Sequence, residues 1–282
     1  MTRRTVRGIW LGRRRYEPVH ALQLDLFEAR REGGMGDTIL FVEHDPVVTV
    51  GKGAKPEHLL APRERLRAQG VDVVDVGRGG DVTLHAPGQL VAYPVVDLSP
   101  DRRDVRRYVN LLSECMQRLV AAWGVAAGPM PRYVGLWADR SSPARWLGGD
   151  LALEPVKLGA IGVRISRWVT MHGFALNLTT DLDLYKFIVP CGIREHAVAS
   201  VASLTCAEPS VPATARRAFD VLAELMGAEQ IGYDDWSAAP LDEVLVATRS
   251  TLASSPAAPV STVRAENPSS SRRDWSSATE TK

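Results

Sequence analysis

Two hydrophobic periods alternate along the chain. From Glu17 to Arg31, Val19, Leu22, Leu26 and Ala29 recur at three- and four-residue steps, and Gly33-Gly34 follows; this predicts a helix with a defined stop. The pattern is stronger from Asp104 to Trp123, where Val105, Tyr108, Val109, Leu112, Met116, Leu119 and Val120 form one stripe ahead of Gly124. A third amphipathic helix is predicted from Ala213 to Met226, ended by Gly227. Between them lie apolar runs of strand length: Thr38 to Glu43, Val47 to Val50, Val71 to Val76, Leu90 to Leu98, Tyr133 to Ala138, Leu158 to Ile165 and Trp168 to Leu178. His44-Asp45-Pro46 reads as a turn, and Ser166-Arg167 as a tight hairpin. Pro94 suggests that its run is an edge strand or an irregular one, because proline cannot donate to a ladder. The interleaving predicts one mixed α/β (α+β) domain.

Composition narrows this picture. The chain has 282 residues, 45% of them hydrophobic, which is enough for a sizeable core. A net charge of +1 gives no global field to draw nucleic acid or an acidic membrane surface, so neither is expected as a partner. Arg3, Arg4, Arg7, Arg13, Arg14 and Arg15 crowd the N-terminus and read as a solvated basic segment, or alternatively as a docking surface for an acidic partner. From about Ser250 onward Ser, Thr, Pro and Ala dominate. Such a segment cannot bury enough surface to offset its ordering entropy, so residues 250–282 are expected to be a disordered tail.

Three cysteines, Cys115, Cys191 and Cys206, include no CxxC pair, and the six histidines show no HExxH spacing. No disulfide framework, metal site or cofactor is expected. The N-terminus has no signal-peptide apolar run and no stretch is long enough to span a membrane, so a cytoplasmic location is expected. Cys115 lies beside the long helical stripe and reads as packing.

Chemistry concentrates in three places. The first is Arg78-Gly79-Gly80-Asp81-Val82-Thr83-Leu84-His85, glycine-rich and polar between two strand candidates. Here the backbone can approach a ligand, and Arg78 and His85 can donate to an acyl carbonyl or a phosphate. A plain turn with a structural histidine is the simpler reading. The second is Lys157, which heads the strand containing Ala160-Ile161-Gly162, followed by His172-Gly173-Phe174-Ala175. A lysine there is costly unless it is paired or reaches water. The small residues suit close sheet packing or the floor of a groove for a long apolar chain. The third is Cys191, held between Pro190 and Gly192. A thiol on such a turn reacts at neutral pH only if its pKa is lowered, and Lys157 is a candidate ammonium for that purpose.

Five blocks in register, EHDPVVTVGKGA, RGGDVTLHAPGQLVAYPVVDL, YVGLWAD, KLGAIGVRISRWVTMHGFALNL and IVPCGI, resemble the octanoyltransferases, also called lipoyl(octanoyl) transferases, of lipoate biosynthesis. The resemblance covers about Tyr16 to Leu225. It implies the fold of the biotin and lipoate ligase catalytic domain, a mixed sheet flanked by helices. It implies that Cys191 is the nucleophile that takes an octanoyl group from acyl carrier protein as a thioester, and that Lys157 lowers the thiol pKa and shuttles protons. It marks 78–85, 160–162 and 173–175 as substrate-contacting. The implied acceptors are lysines on lipoyl domains of 2-oxoacid dehydrogenase subunits and on a glycine cleavage H-type protein. Backbone N–H groups near Cys191 or in the glycine segments are candidate oxyanion donors.

The expected organisation is a catalytic domain over 1–232, an extension over 233–249 and the tail. Ala86 stands where the family has a glycine, and alanine is costly there if φ is positive. Leu84 stands where the family has an aromatic residue and could reshape an acyl pocket wall. The link 139–155 is longer than is usual. An ATP-dependent lipoate ligase and a non-catalytic acyl-binding module on the same fold are the alternatives.

Overall fold

The computed structural model describes residues 4–99, 103–193 and 195–250, with Cys191, Arg249 and Ser250 described by their backbone alone. The chain runs through β1 (Thr5–Arg14), α1 (Tyr16–Arg31), β2 (Asp37–His44), β3 (Val47–Val50), α2 (Arg63–Ala68), β4 (Asp72–Asp75), β5 (Val82–His85) and β6 (Gln89–Val95). It continues through α3 (Val105–Val120), β7 (Ala127–Met130), β8 (Tyr133–Asp139), β9 (Pro155–Ser166) and β10 (Val169–Asn177). It ends with α4 (Val201–Thr205), α5 (Val211–Leu225), β11 (Glu229–Asp235) and α6 (Leu241–Ser250). An eight-stranded mixed sheet has the order β11-β1-β2-β6-β10-β9-β8-β7, and a second sheet has the order β4-β3-β5. This is the mixed sheet flanked by helices that the resemblance implied.

Strand alternation divides the core. Ile39 and Phe41 of β2 face a cluster built with α3 and α5, whereas Leu40 and Val42 face a second cluster built with α1 and α6. Of the predicted α3 stripe, Tyr108, Leu112, Met116, Leu119 and Val120 are buried, with Cys115 beside them, whereas Val105 at the helix start is exposed and Val109 half-buried. Fully burying a side chain of leucine or methionine size stabilises by about 1.5–3 kcal/mol. Asp104 caps α3 by accepting from the Arg107 amide at 2.9 Å. Ser210 caps α5, and with a proline in its first turn the helix starts slightly before the expected position. A third cluster, around Val48, Leu66, Val82 and Leu84, seals the small sheet onto α2.

Several expectations change. The arginine-rich start is not a solvated arm but strand β1, inserted in parallel between β2 and β11. Its apolar residues Val6, Ile9, Trp10 and Leu11 are buried, and its arginines act as fasteners. Arg4 donates to Asp37 Oδ2 at 2.9 Å, Arg13 to Asp45 at 2.8 Å, and Arg14 to the carbonyls of Trp236, Ser237 and Ala239 at 2.7–2.9 Å. Arg3 lies outside the described residues. The boundary expected at 232/233 falls inside β11, which adds an edge strand to the main sheet, so 233–249 belongs to the domain. Of the expected tail, Ser250 ends α6 and 251–282 lie outside the described residues.

Pro94 is in a central strand, not at an edge. Residues β6 92–89 pair with β10 174–177, and the Pro94 position faces His172, which takes a left-handed φ of 60°. The regular ladder between the two strands ends at Ala92–Phe174, and Gly173 leaves room for the proline ring, since a Cβ there would stand 2.7 Å from Pro94 Cδ. The Thr170 hydroxyl bridges the gap, donating to Pro94 O at 2.8 Å and accepting from Val96 N at 3.1 Å. The β9–β10 hairpin turns on Arg167 (φ 49°) and Trp168 (φ 66°), one residue later than expected.

Candidate active site

A cavity of about 330 Å³ opens between the two sheets. Its wall includes Arg78, Gly80, Asp81, Thr83 and His85 from the glycine-rich segment, Ala160, Ile161 and Gly162 from β9, and Gly173, Phe174 and Ala175 from β10. Three expected residues do not line it. Gly79 is tied into the backbone, its N–H donating to Val163 O at 3.3 Å. Val82 and Leu84 point into the small-sheet core, because successive side chains of β5 face opposite sides and Thr83 and His85 take the cavity side. Leu84 therefore shapes no cavity wall. Ala86 is buried and does not take a positive φ; the left-handed residue of this turn is Gly88, at 80°. The penalty expected for alanine does not arise.

The wall also holds Tyr16, Tyr93, Arg132, Val134 and Ile193, which the sequence did not mark as substrate-contacting, and His172, which it marked only as part of the second chemical segment. Tyr16 stacks on His85 with ring centroids 6.0 Å apart, and His44 lies 5.7 Å from His85. The His85 Nδ1 is 2.8 Å from Gln89 Oε1, and His44 Nε2 is 2.9 Å from the Tyr93 hydroxyl. The Nε2 of His172 has no hydrogen-bond partner among the described residues. Burial pushes these imidazoles down, His44 to about 4, His85 to about 3 and His172 to about 3, so all three are neutral at pH 7. Arg78 is buried in the wall, and its Nη2 donates to Thr49 O at 2.9 Å and Thr49 Oγ1 at 3.0 Å.

Lys157 and the cysteine turn meet beside this cavity. Lys157 is 5% exposed, and its Nζ lies 5.6 Å from the Trp137 ring centroid. Gly135 (φ 144°) makes room for it: a Cβ there would stand 2.9 Å from Lys157 Cε and 2.5 Å from Gly159 O. Cys191 lies in the 3-10 turn Pro190–Gly192. A small recess is lined by both Lys157 and Pro190, and also by Thr83 and Ala160, which line the large cavity too. Gly192 N donates to Val189 O and Ile193 N to Pro190 O, each at 3.0 Å, so these two amides hold the turn and are committed away from an oxyanion. His85 lies in the cavity wall rather than in that recess. The imidazole against the turn is that of His58, buried beside Asp81. A solitary histidine in the run PEHLL carries no periodic or spacing signal that would have marked it.

The link 139–155 is an excursion from the β8–β9 hairpin, closed at its base by Asp139. That carboxylate accepts from the amides of Ser141 (2.9 Å), Leu153 (2.8 Å) and Glu154 (3.2 Å). No described helix is long and apolar enough to cross a membrane.

Residues 15–223 match the lipoyl protein ligase A/B catalytic domain. An octanoyltransferase of Myxococcus xanthus is 47% identical over 191 residues, covering 68% of this chain and 51% of that protein; the chain thus spans about half of that relative's length. An octanoyltransferase of Chloroflexus aurantiacus is 38% identical over 227 residues, covering 80% of this chain and 96% of its own. Among solved structures, a bipartite lipoate protein ligase of Thermoplasma acidophilum superposes with TM-score 0.62 at 15% identity, covering 86% of this chain and 91% of that one. A lipoate-protein ligase A bound with ATP gives 0.60 at 16% identity, covering 87% and 96%. The ligases share the fold; with 38% identity across nearly the whole of one relative, and the cavity and cysteine turn in place, the chain belongs to the octanoyltransferase family of acyl-transferring enzymes.

Proposed function

We propose that this protein moves an octanoyl group from acyl carrier protein to a lysine of a lipoyl domain through a thioester on Cys191. The observation that carries the reading is the recess bounded jointly by Lys157 and Pro190, which shares Thr83 and Ala160 with the larger cavity. An ammonium beside a thiol favours the thiolate, the form that attacks. In the first half-reaction the Cys191 thiolate attacks the carrier thioester, the carrier sulfur leaves and takes a proton from the Lys157 ammonium, and the acyl chain lies along the cavity. In the second, the neutral amine of the acceptor lysine attacks the Cys191 thioester. An amide forms, the Cys191 sulfur leaves, and the amine proton passes to a base; Lys157, once neutral, is that base. Thioester exchange is nearly balanced in energy and amide formation is downhill, so no ATP is consumed.

The supporting context is the octanoyltransferase family, while acyl carrier protein, lipoyl domains of 2-oxoacid dehydrogenase subunits and glycine cleavage H-type protein are the partners this reading requires. Exposure to octanoyl-acyl carrier protein, followed by intact-mass analysis, tests it. One octanoyl adduct is expected on the wild-type chain, absent in Cys191→Ala, and passed to an added lipoyl domain without ATP. An adduct that survives Cys191→Ala, or acceptor modification only with free octanoate and ATP, would overturn the reading.

A further inference from the structure

His58 ends a 3-10 turn, Pro56–His58, and its Nδ1 meets Asp81 Oδ2 in a short hydrogen bond. The other oxygen, Asp81 Oδ1, accepts from Val82 N at 2.7 Å. Both side chains are largely buried, with 11% and 13% of their surface exposed. They press on the residue after the cysteine: a Cβ at Gly192 would stand 2.9 Å from Asp81 Oδ2 and 2.9 Å from His58 Cε1. Gly192 is left-handed (φ 72°), so both its conformation and its missing side chain fit it to this contact. The backbone around His58 grips the same segment. Val189 N donates to His58 O at 2.8 Å, Leu60 N donates to Phe187 O at 2.8 Å, and Leu59 bridges to Ile188. One side-chain pair therefore joins three segments distant in sequence: the 56–60 turn, the glycine-rich segment and the cysteine turn.

A buried carboxylate without a donor is costly, and it would press an unbalanced negative charge on a neighbouring thiol. The histidine supplies the donor and orients the carboxylate at once. We propose that the His58–Asp81 pair is a positioning element that sets how the Cys191 turn is presented to the recess it shares with Lys157. This rests on the reading of Cys191 as nucleophile. His58 touches the turn but does not line the cavity, whereas Asp81 does both, so the His58 variants carry the test of action through the turn.

The test uses the full chain with Cys206→Asn, because Cys206 is exposed and would report with Cys191, whereas Cys115 is buried. Cys206 is left-handed (φ 58°), a conformation asparagine tolerates. Iodoacetamide alkylation at Cys191, read by peptide mass, and acylation by octanoyl-acyl carrier protein are measured for His58→Ala, His58→Asn, Asp81→Ala and the double alanine variant. Asparagine keeps a donor where Nδ1 stood. His58→Ala is expected to lower the acylation kcat roughly 10²-fold, as misplaced reactive groups do, with KM within about twofold. His58→Asn should restore most of the rate, and the double variant should be no slower than the slower single one. Unchanged rates in His58→Ala, equal impairment in His58→Asn, or additive losses would each overturn the proposal. If His58→Ala does not fold, His58→Gln takes its place, filling the space without a donor at Nδ1. Alkylation reads the sulfur with no acyl donor present. A Cys191→Ser enzyme that still transferred would therefore remove the nucleophile while leaving this result to decide whether the pair acts on the turn.

Discussion

The buried neutral histidines, His85 and His172 in the cavity wall and His44 beside His85, should make the fold sensitive to mild acid. Burial holds His44 at about 4, His85 at about 3 and His172 at about 3 in the folded chain, against an ordinary 6.5. As pH falls through 6.5 the unfolded chain binds three protons that the folded chain refuses until pH 4 or below. Their contribution is whole above about pH 6.5 and is lost as pH falls from there. At about pH 5 each group destabilises the fold by about 2 kcal/mol, and together by about 6 kcal/mol. A domain's total stability is roughly 5–15 kcal/mol, so unfolding between about pH 5 and pH 4 is expected. Urea titrations followed by tryptophan fluorescence should show unfolding free energy falling by nearly three protons' worth, about 4 kcal/mol per pH unit, just above pH 5. Ordinary carboxylates titrate mostly below that window. His172→Asn suits the left-handed backbone at this position and should lower the slope by about 1.4 kcal/mol per pH unit. A free energy flat down to about pH 5, or a slope unchanged in His172→Asn, would refute the assignment of these groups as buried and neutral.

Lys157→Met keeps an unbranched stem against Trp137 but removes the charge, and should slow both octanoyl transfer and Cys191 alkylation at neutral pH by about 10²-fold or more, with recovery at high pH. Parallel loss at every pH would count against a role in ionising the thiol. Gln23 is fully buried in α1 with neither amide atom partnered among the described residues, so Gln23→Leu should stabilise by about 1–3 kcal/mol in urea titration, and a fall would contradict that burial. Gly88→Ala forces a side chain onto a φ of 80° and to 2.6 Å from the Thr179 carbonyl carbon, and should cost at least about 1–2 kcal/mol and lower the melting temperature.

The long elements were legible because their periodicity is their burial. The α3 stripe names the residues that pack on the sheet, and β10 reads as an apolar run because all nine of its residues are buried. Strand β1 was misread because its six flanking and interior arginines suggested solvation, while the apolar residues between them were the signal that mattered. An arginine with a carboxylate or carbonyl partner is compatible with a strand in the sheet, and Asp37, Asp45, Asp72 and Asp234 supply such partners from other segments. Strand β11 escaped notice because an edge strand half open to solvent has no apolar alternation to show. Pro94 left an edge strand and an irregular one both open; the second holds, and the irregularity includes His172 of the neighbouring strand, which no local rule reads.

The site follows the same division between what one segment encodes and what several encode together. The glycine-rich run was visible as chemistry, but only a period-two strand beneath its second half explains why Thr83 and His85 reach the cavity while Val82 and Leu84 do not. Burial also sorts the charges. Deep in the cavity the imidazoles are stripped of their protons, and Arg78 is tied to Thr49, so an apolar chain entering there displaces no free ion from water. Lys157 and His58 instead lie beside the Pro190–Gly192 turn, and Asp81 reaches both the turn and the cavity wall. On the proposed reading the cavity holds the chain and the recess beside Lys157 activates the sulfur, so the two tasks should respond to different substitutions. Changes at β10 should alter which chain length is accepted while leaving alkylation of Cys191 untouched. Changes at Lys157 or His58, neither of which lines the large cavity, should alter alkylation while leaving chain-length preference untouched. An octanoyl-to-decanoyl preference that shifted with Lys157→Met would mean that the two tasks are not separated, and that the recess holds the chain as well as the sulfur.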